Sequence, residues 1–124
     1  MSTVIISDDF WLSILSLNFD RIRTEDRVAA FIEWKTTGVV PTQPFYKDKS
    51  SAKDDDNVVY RPYKRNQFRH CHCGFVPNGD PLIVYRILSN GDIRLVCIST
   101  HDEYFVKSKR PLFVDKYKKE FEKR

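Results

Sequence analysis

Three histidines occur in the 124-residue chain, and two stand one residue apart in Arg69-His70-Cys71-His72-Cys73. The third, His101, follows a strand-like run and precedes Asp102-Glu103-Tyr104-Phe105. Imidazole titrates near neutrality, so a pair of histidines can supply both the base and the acid of a proton-transfer reaction. RNA cleavage makes that demand. A base takes the ribose 2′-hydroxyl proton, an acid protonates the leaving 5′-oxygen, and cations neutralise the crowded phosphate. His72 and His101 are the candidate acid–base pair, and Arg86 and Arg69 are the candidate cations for the phosphate. A histidine taken alone is more often structural, so this reading requires the two to converge.

Other chemistries compete for the same residues. His70, Cys71, His72 and Cys73 are zinc-ligand types, and a small metal-stabilised RNA-binding domain could be built on them. Structural zinc sites, however, space paired ligands two to four residues apart, and no second Cys/His pair accompanies this one. Cys97, amid Leu95 and Val96, reads as a small core residue. A thiol nucleophile at Cys71 or Cys73 lacks an identifiable base and orienting partner. Three cysteines, an odd number, make no disulfide framework and point to a reducing cytoplasm.

The elements that must position these groups follow from periodicity. Val4-Ile5-Ile6 reads as a strand, and Ser7, Asp8 or Asp9 can cap a helix carrying Phe10, Trp11, Ile14, Leu15 and Leu17 on one face. A second helix is expected from Thr24, with Val28, Phe31, Ile32 and Lys35 at helical spacing and Gly38 ending it. Residues 45–57 are polar and aperiodic, as in a long mobile loop. From Val58 onward strands dominate: one through Phe68–Val76, one over Leu82–Leu88, and one over Asp92–Ile98. Asn90-Gly91 supplies a hairpin turn, because both residues accept positive φ. The tail from Leu112 reads as one helix, with Phe113, Tyr117 and Phe121 at i, i+4 and i+8. The expected architecture is α+β, a single domain over residues 1–124. Two N-terminal helices pack on a twisted antiparallel sheet, and a C-terminal helix follows.

In that sheet, alternation puts His70 and His72 on one face and Cys71 and Cys73 on the other. His101, at the end of the third strand, comes near Asp80 at the start of the second, so a cleft shared with His72 is feasible.

Charge is uneven. Residues 1–56 carry 7 Lys/Arg and 10 Asp/Glu, whereas residues 57–124 carry 14 and 7, so the second half holds all the net positive charge. Within 57–75, Arg61, Lys64, Arg65 and Arg69 meet no carboxylate and are interleaved with Tyr60, Tyr63, Phe68 and Phe75. Cations with aromatic faces suit phosphates and bases, although an acidic protein partner would suit them equally. No apolar run approaches the ~18 residues of a membrane span, and the first residues lack the pattern of a secretory signal. The seventeen aromatics provide enough apolar area for one core and argue against general disorder.

Arg69-His70-Cys71-His72, Asp80-Pro81-Leu82-Ile83-Val84-Tyr85-Arg86-Ile87, Ile93-Arg94-Leu95 and Thr100-His101-Asp102-Glu103-Tyr104-Phe105 together resemble the C-terminal signature of RelE/ParE-superfamily toxins, most of all the YafQ-like branch. Phe31 to Pro41 is similar to the helix-ending segment of YafO toxins. The two stretches, residues 69–105 and 31–41, span 48 of the 124 residues. The resemblance implies a RelE-like domain acting as the toxin of a bacterial toxin–antitoxin pair, cutting messenger RNA in the ribosomal A site. It implies docking on ribosomal RNA, inhibition by a cognate antitoxin, no metal or other cofactor, and no membrane partner. By position, His72 and His101 match the family's acid–base histidines and Phe105 the aromatic that holds the RNA, with Tyr104 beside it. Arg86 corresponds to a position near the scissile phosphate, and Asp80 to the family's acidic residue. The family's further upstream histidine is missing here; Lys64 or Arg65 occupies that region, so a cation would substitute. The gyrase-poisoning branch shares the fold without this histidine set, which leaves a non-catalytic toxin or regulator acting by protein binding as the alternative.

Overall fold

A computed structural model describes residues 2–15, 21–39, 49–50, 60–72 and 81–122. In chain order these form β1 (Val4–Ile6), α1 (Phe10–Leu15), α2 (Arg21–Thr37), β2 (Lys49–Ser50), α3 (Arg61–Arg65) and β3 (Phe68–His72). They continue as β4 (Leu82–Ile87), β5 (Ile93–Ser99), α4 (His101–Phe105), α5 (Arg110–Lys116) and α6 (Lys118–Glu122). The class is α+β, as expected.

The described strands make one sheet in the order β1-β5-β4-β3-β2. β3, β4 and β5 form the expected antiparallel meander, and the two-residue β2 adds antiparallel to β3. The sheet is nevertheless mixed, not antiparallel throughout, because β1 runs parallel to β5 with Val4 opposite Ile93 and Ile6 opposite Leu95. A parallel partner needs a long crossover connection rather than a hairpin, and nearly ninety residues separate these strands.

Each face of the sheet has its own apolar cluster. Phe10, Ile14, Val28, Phe31 and Trp34 from α1 and α2 bury Cys71, Ile83, Tyr85, Leu95 and Ile98. Tyr63, Tyr104, Phe113 and Tyr117 from the other helical segments bury Phe68, Leu82, Val84, Val96 and Cys97. The molecule therefore has three layers, with helices on both faces. Leu95 and Ile98 are three residues apart, so plain alternation would send them to opposite faces. A β-bulge resolves this: Tyr85 pairs with Leu95 and Val84 with Cys97, leaving Val96 as the extra residue.

Two serines satisfy the backbone groups this leaves. Ser7 Oγ donates to Val96 O at 3.0 Å, and Ser13 Oγ accepts from Ile98 N–H at 2.8 Å. Ser7 is thus engaged with β5 instead of capping α1. Along α1, Phe10 and Ile14 are buried, whereas Trp11 and Leu15 are exposed, so the apolar face is narrower than the sequence suggests.

Three more differences concern element boundaries. The second helix starts at Arg21, and Thr24 is buried inside it rather than capping it. The stop at Gly38 stands, with φ +82° and its N–H bonded to Trp34 O at 2.7 Å. The strand pattern expected from Val58 is preceded by α3, whose first turn holds Pro62, a residue suited to that position. The tail is two helices, since the chain leaves helical geometry at Tyr117 (φ −111°, ψ 38°). The break lets Tyr117 hydrogen-bond Cys97, whose thiol burial pushes up, and lets Phe121 stack on Phe68 at 4.4 Å and 4°. Leu17 and the 45–57 loop, apart from Lys49–Ser50, lie outside the described residues.

The β4–β5 hairpin turns differently from the expectation of two positive-φ residues. Leu88 N donates to Asp92 O and Gly91 N to Leu88 O, a three-residue loop in which Gly91 has φ +90° while Asn90 is not left-handed. Gly91→Ala is expected to destabilise the fold by about 1–2 kcal/mol through backbone strain alone, because a Cβ there would meet nothing within 4 Å. Denaturant unfolding of the two proteins measures it.

Candidate functional site

His70 and His72 alternate with Cys71 on β3 and so share a face, with ring centroids 5.1 Å apart. His101 and Phe105 are i and i+4 on α4, the spacing that stacks side chains on a helix, and their rings are 4.6 Å apart. The two pairs meet. His72 lies 5.3 Å from His101 at an interplanar angle of 31°, and His70 lies 4.8 Å from Phe105 in an edge-to-face arrangement. Four rings thus close a circuit across the β3–α4 boundary. Exposure grades across it: His70 is buried, His72 and Phe105 are half-buried, and His101 is exposed.

α4 places His101 because it is capped. Thr100 Oγ1 accepts the Glu103 N–H at 2.9 Å, and Asp102 and Glu103 occupy the first turn, where negative charge suits the helix dipole. Glu103 in turn accepts from Ser99 Oγ at 2.7 Å and pairs with Lys116 Nζ at 3.7 Å, tying α4 to β5 and α5. Thr100→Ala removes the cap and is expected to cost about 1 kcal/mol of stability. Thermal unfolding monitored by circular dichroism measures that loss.

No family model, curated protein or solved structure matches the chain. The chemistry must therefore be read from the site itself.

The other expected site residues are dispersed. Tyr104 is fully buried, its ring stacked on Tyr63 at 4.4 Å and 8°, so it cannot stack on an incoming base. Arg69 projects to the α1–α2 face, as the alternation of β3 dictates. There it sits near Tyr85 and Lys35, whose ammonium burial pushes down to about 8, with Arg69 adding to the effect. Arg86 shares the histidines' face but stands opposite Phe68, four residues from His72 along the ladder and so roughly 13 Å away. It is buried, donating from Nε to Asn66 O at 3.1 Å and from Nη1 to Glu120 Oε1 at 3.3 Å. Lys64 and Arg65 are exposed on α3, toward that same far end, since Arg65 borders a groove with Arg86. Asp80 and Cys73 lie outside the described residues.

Two features were missed by the sequence reading. His70 joins the cluster through Phe105, a consequence of period-two alternation that needed only the partner helix to be placed. Glu120 receives both Arg86 and Arg94, the latter at 2.9 Å, which ties α6 to the sheet. Nothing in the local spacing announces a carboxylate twenty-six residues from Arg94. Among the described residues, no group of three or more His, Cys, Asp or Glu side chains is arranged to hold a metal ion. No described helix is long and apolar enough to cross a membrane.

Proposed function

We propose that the protein is an endoribonuclease that uses His72 and His101 as an acid–base pair. The supporting observation is the 5.3 Å approach of these two imidazoles at the end of β3, where His101 is exposed, beside Phe105. One neutral imidazole would take the proton of a ribose 2′-hydroxyl, which then attacks the adjacent phosphorus. The other, protonated, would deliver its proton to the departing 5′-oxygen. The imidazolium is itself a cation against the phosphate, which matters because Arg69 points to the other face of the sheet and Arg86 stands four residues away along the ladder. Phe105 offers a ring on which a base can stack, and His70 holds Phe105 and His72 from behind.

The resemblance of the strand-to-histidine segments to RelE-like toxins extends this reading to a toxin acting on messenger RNA at the ribosome, under control of an antitoxin in the cytoplasm. Exposed cations on α3 and after α4 (Arg61, Lys64, Arg65, Lys107, Lys118, Lys119) supply a surface for ribosomal RNA, with an affinity that falls as salt rises. A second reading, a non-catalytic toxin or regulator acting by protein binding, draws support from one observation: both candidate arginines lie away from the histidines.

Inducible expression with mapping of transcript 5′ ends separates the two. Cleavage ends present for the parent and absent for His101→Ala support the ribonuclease. Growth arrest that is insensitive to His72→Ala and His101→Ala, without new 5′ ends, supports the binding protein.

A further inference from the structure

At the end of the sheet opposite the histidine cluster, a groove of about 820 Å³ opens between the α3–β3 turn and the β4–β5 hairpin. Arg65, Gln67, Arg86, Ser89, Asn90 and Arg94 line it. Three guanidiniums border this space, and among the described residues no carboxylate lines it. Behind the groove, the single carboxylate of Glu120 serves both Arg86 and Arg94, whose side chains are 10% and 21% exposed. Three guanidiniums set against Glu120 and the charge of Asp8 leave the groove's surroundings net positive, which suits an anion. Arg65 adds a third cation on the exposed lip. It joins the groove through Gln67, the one non-glycine residue with positive φ (56°) among those described, which turns the chain from α3 into β3. Left-handed backbone at a non-glycine residue costs energy and recurs at ligand sites.

We propose that this groove binds the phosphate of a nucleotide, with Arg65, Arg86 and Arg94 as the anion's ligands. Planar guanidinium forks match phosphate oxygens in pairs. The volume exceeds the need of a bare anion and lies within the range of pockets for small organic ligands, so sugar and base have room beside the phosphate. The same phosphate chemistry arises from a free mononucleotide or from one unit of an RNA strand. The groove is separate from the histidine cluster and stands whether or not the histidines cut RNA.

The test uses the full chain and two probes. One is a labelled single-stranded 2′-O-methyl oligonucleotide, which lacks the hydroxyl needed for cleavage, and the other is adenosine monophosphate as competitor. Arg65→Glu and Ser89→Glu place negative charge at the groove's lip. Each is expected to raise the Kd for the oligonucleotide at least about ten-fold, and Arg65→Glu to reduce the salt slope by about one. Arg21→Glu, the same charge change on α2, is the control and is expected to stay within about two-fold. Arg65→Gln repeats the measurement should the reversal disturb folding. Competition by adenosine monophosphate at comparable concentration assigns the site to free nucleotides; failure to compete assigns it to a strand. Three results overturn the proposal: no binding of either probe by the parent, unchanged affinity in the lip variants, or an equal loss in Arg21→Glu. Loss of cleavage in His101→Ala with groove binding intact, or the reverse, tells the failure of one site from that of the other.

Discussion

His101→Ala is expected to lower the rate of RNA cleavage by about 10²–10⁴-fold, the usual contribution of one positioned acid or base. The side chain is exposed, so the loss should come with little change in stability, within about 0.5 kcal/mol. His72→Ala should act on the same step, and the double variant should be little worse than either single one, since groups that act as a unit are not additive. Phe105→Ala should instead weaken substrate binding, raising KM more than it lowers kcat, because stacking is worth about 1–3 kcal/mol per base. Single-turnover cleavage of message on programmed ribosomes measures all four. A His101→Ala protein as active as the parent would remove the acid–base assignment.

The largest effect on stability is expected at Glu120. Its side chain is 7% exposed and holds Arg86 and Arg94 together. Burial pushes its carboxyl up, but hydrogen bonds and charge from Arg94 and then Arg86 outweigh burial and hold it below the usual carboxylate range. Glu120→Gln leaves two guanidiniums without their counter-charge, and breaking a buried pair in this way costs about 3–5 kcal/mol. In a domain of this size that lowers Tm by about 10 °C or more. The pH dependence has a definite sign. A carboxyl whose folded pKa is depressed contributes its stability above the unfolded value of about 4.3 and loses it as pH falls through the lower folded value. The parent should therefore lose stability more steeply than Glu120→Gln on acidification below about pH 5. Parallel curves would show that the carboxylate is not held by the arginines.

Much of the fold was legible because it rests on local rules. The β-former runs at Leu82 and Ile93, the glycines at 38 and 91, and the alternation that sets His70 and His72 on one face all follow from residue type and spacing. What escaped rests on tertiary partners. The parallel mate of Val4–Ile6 is invisible to any local window. Val96 reads as an ordinary strand residue, and only its cross-strand neighbours make it a bulge. Thr24 has every mark of a cap, yet the helix begins three residues earlier and buries it. At the site, the convergence of His72 and His101 could be anticipated from the hairpin. Arg86 and Arg69 could not be placed, because residue type says which ions suit a phosphate but not which carboxylate or face claims them first.

The pairing of Val4–Ile6 with Ile93–Leu95 also sets an order on the making of the protein. At synthesis rates of about 5–20 residues per second, the first strand waits roughly 4–18 s for its mate to leave the ribosome. Until then β1 is an apolar edge without a neighbour, open to pairing with other nascent chains. A chain arrested before β5 lacks both that mate and the segment bearing His101, so sheet closure and the histidine pair become available together, late in translation.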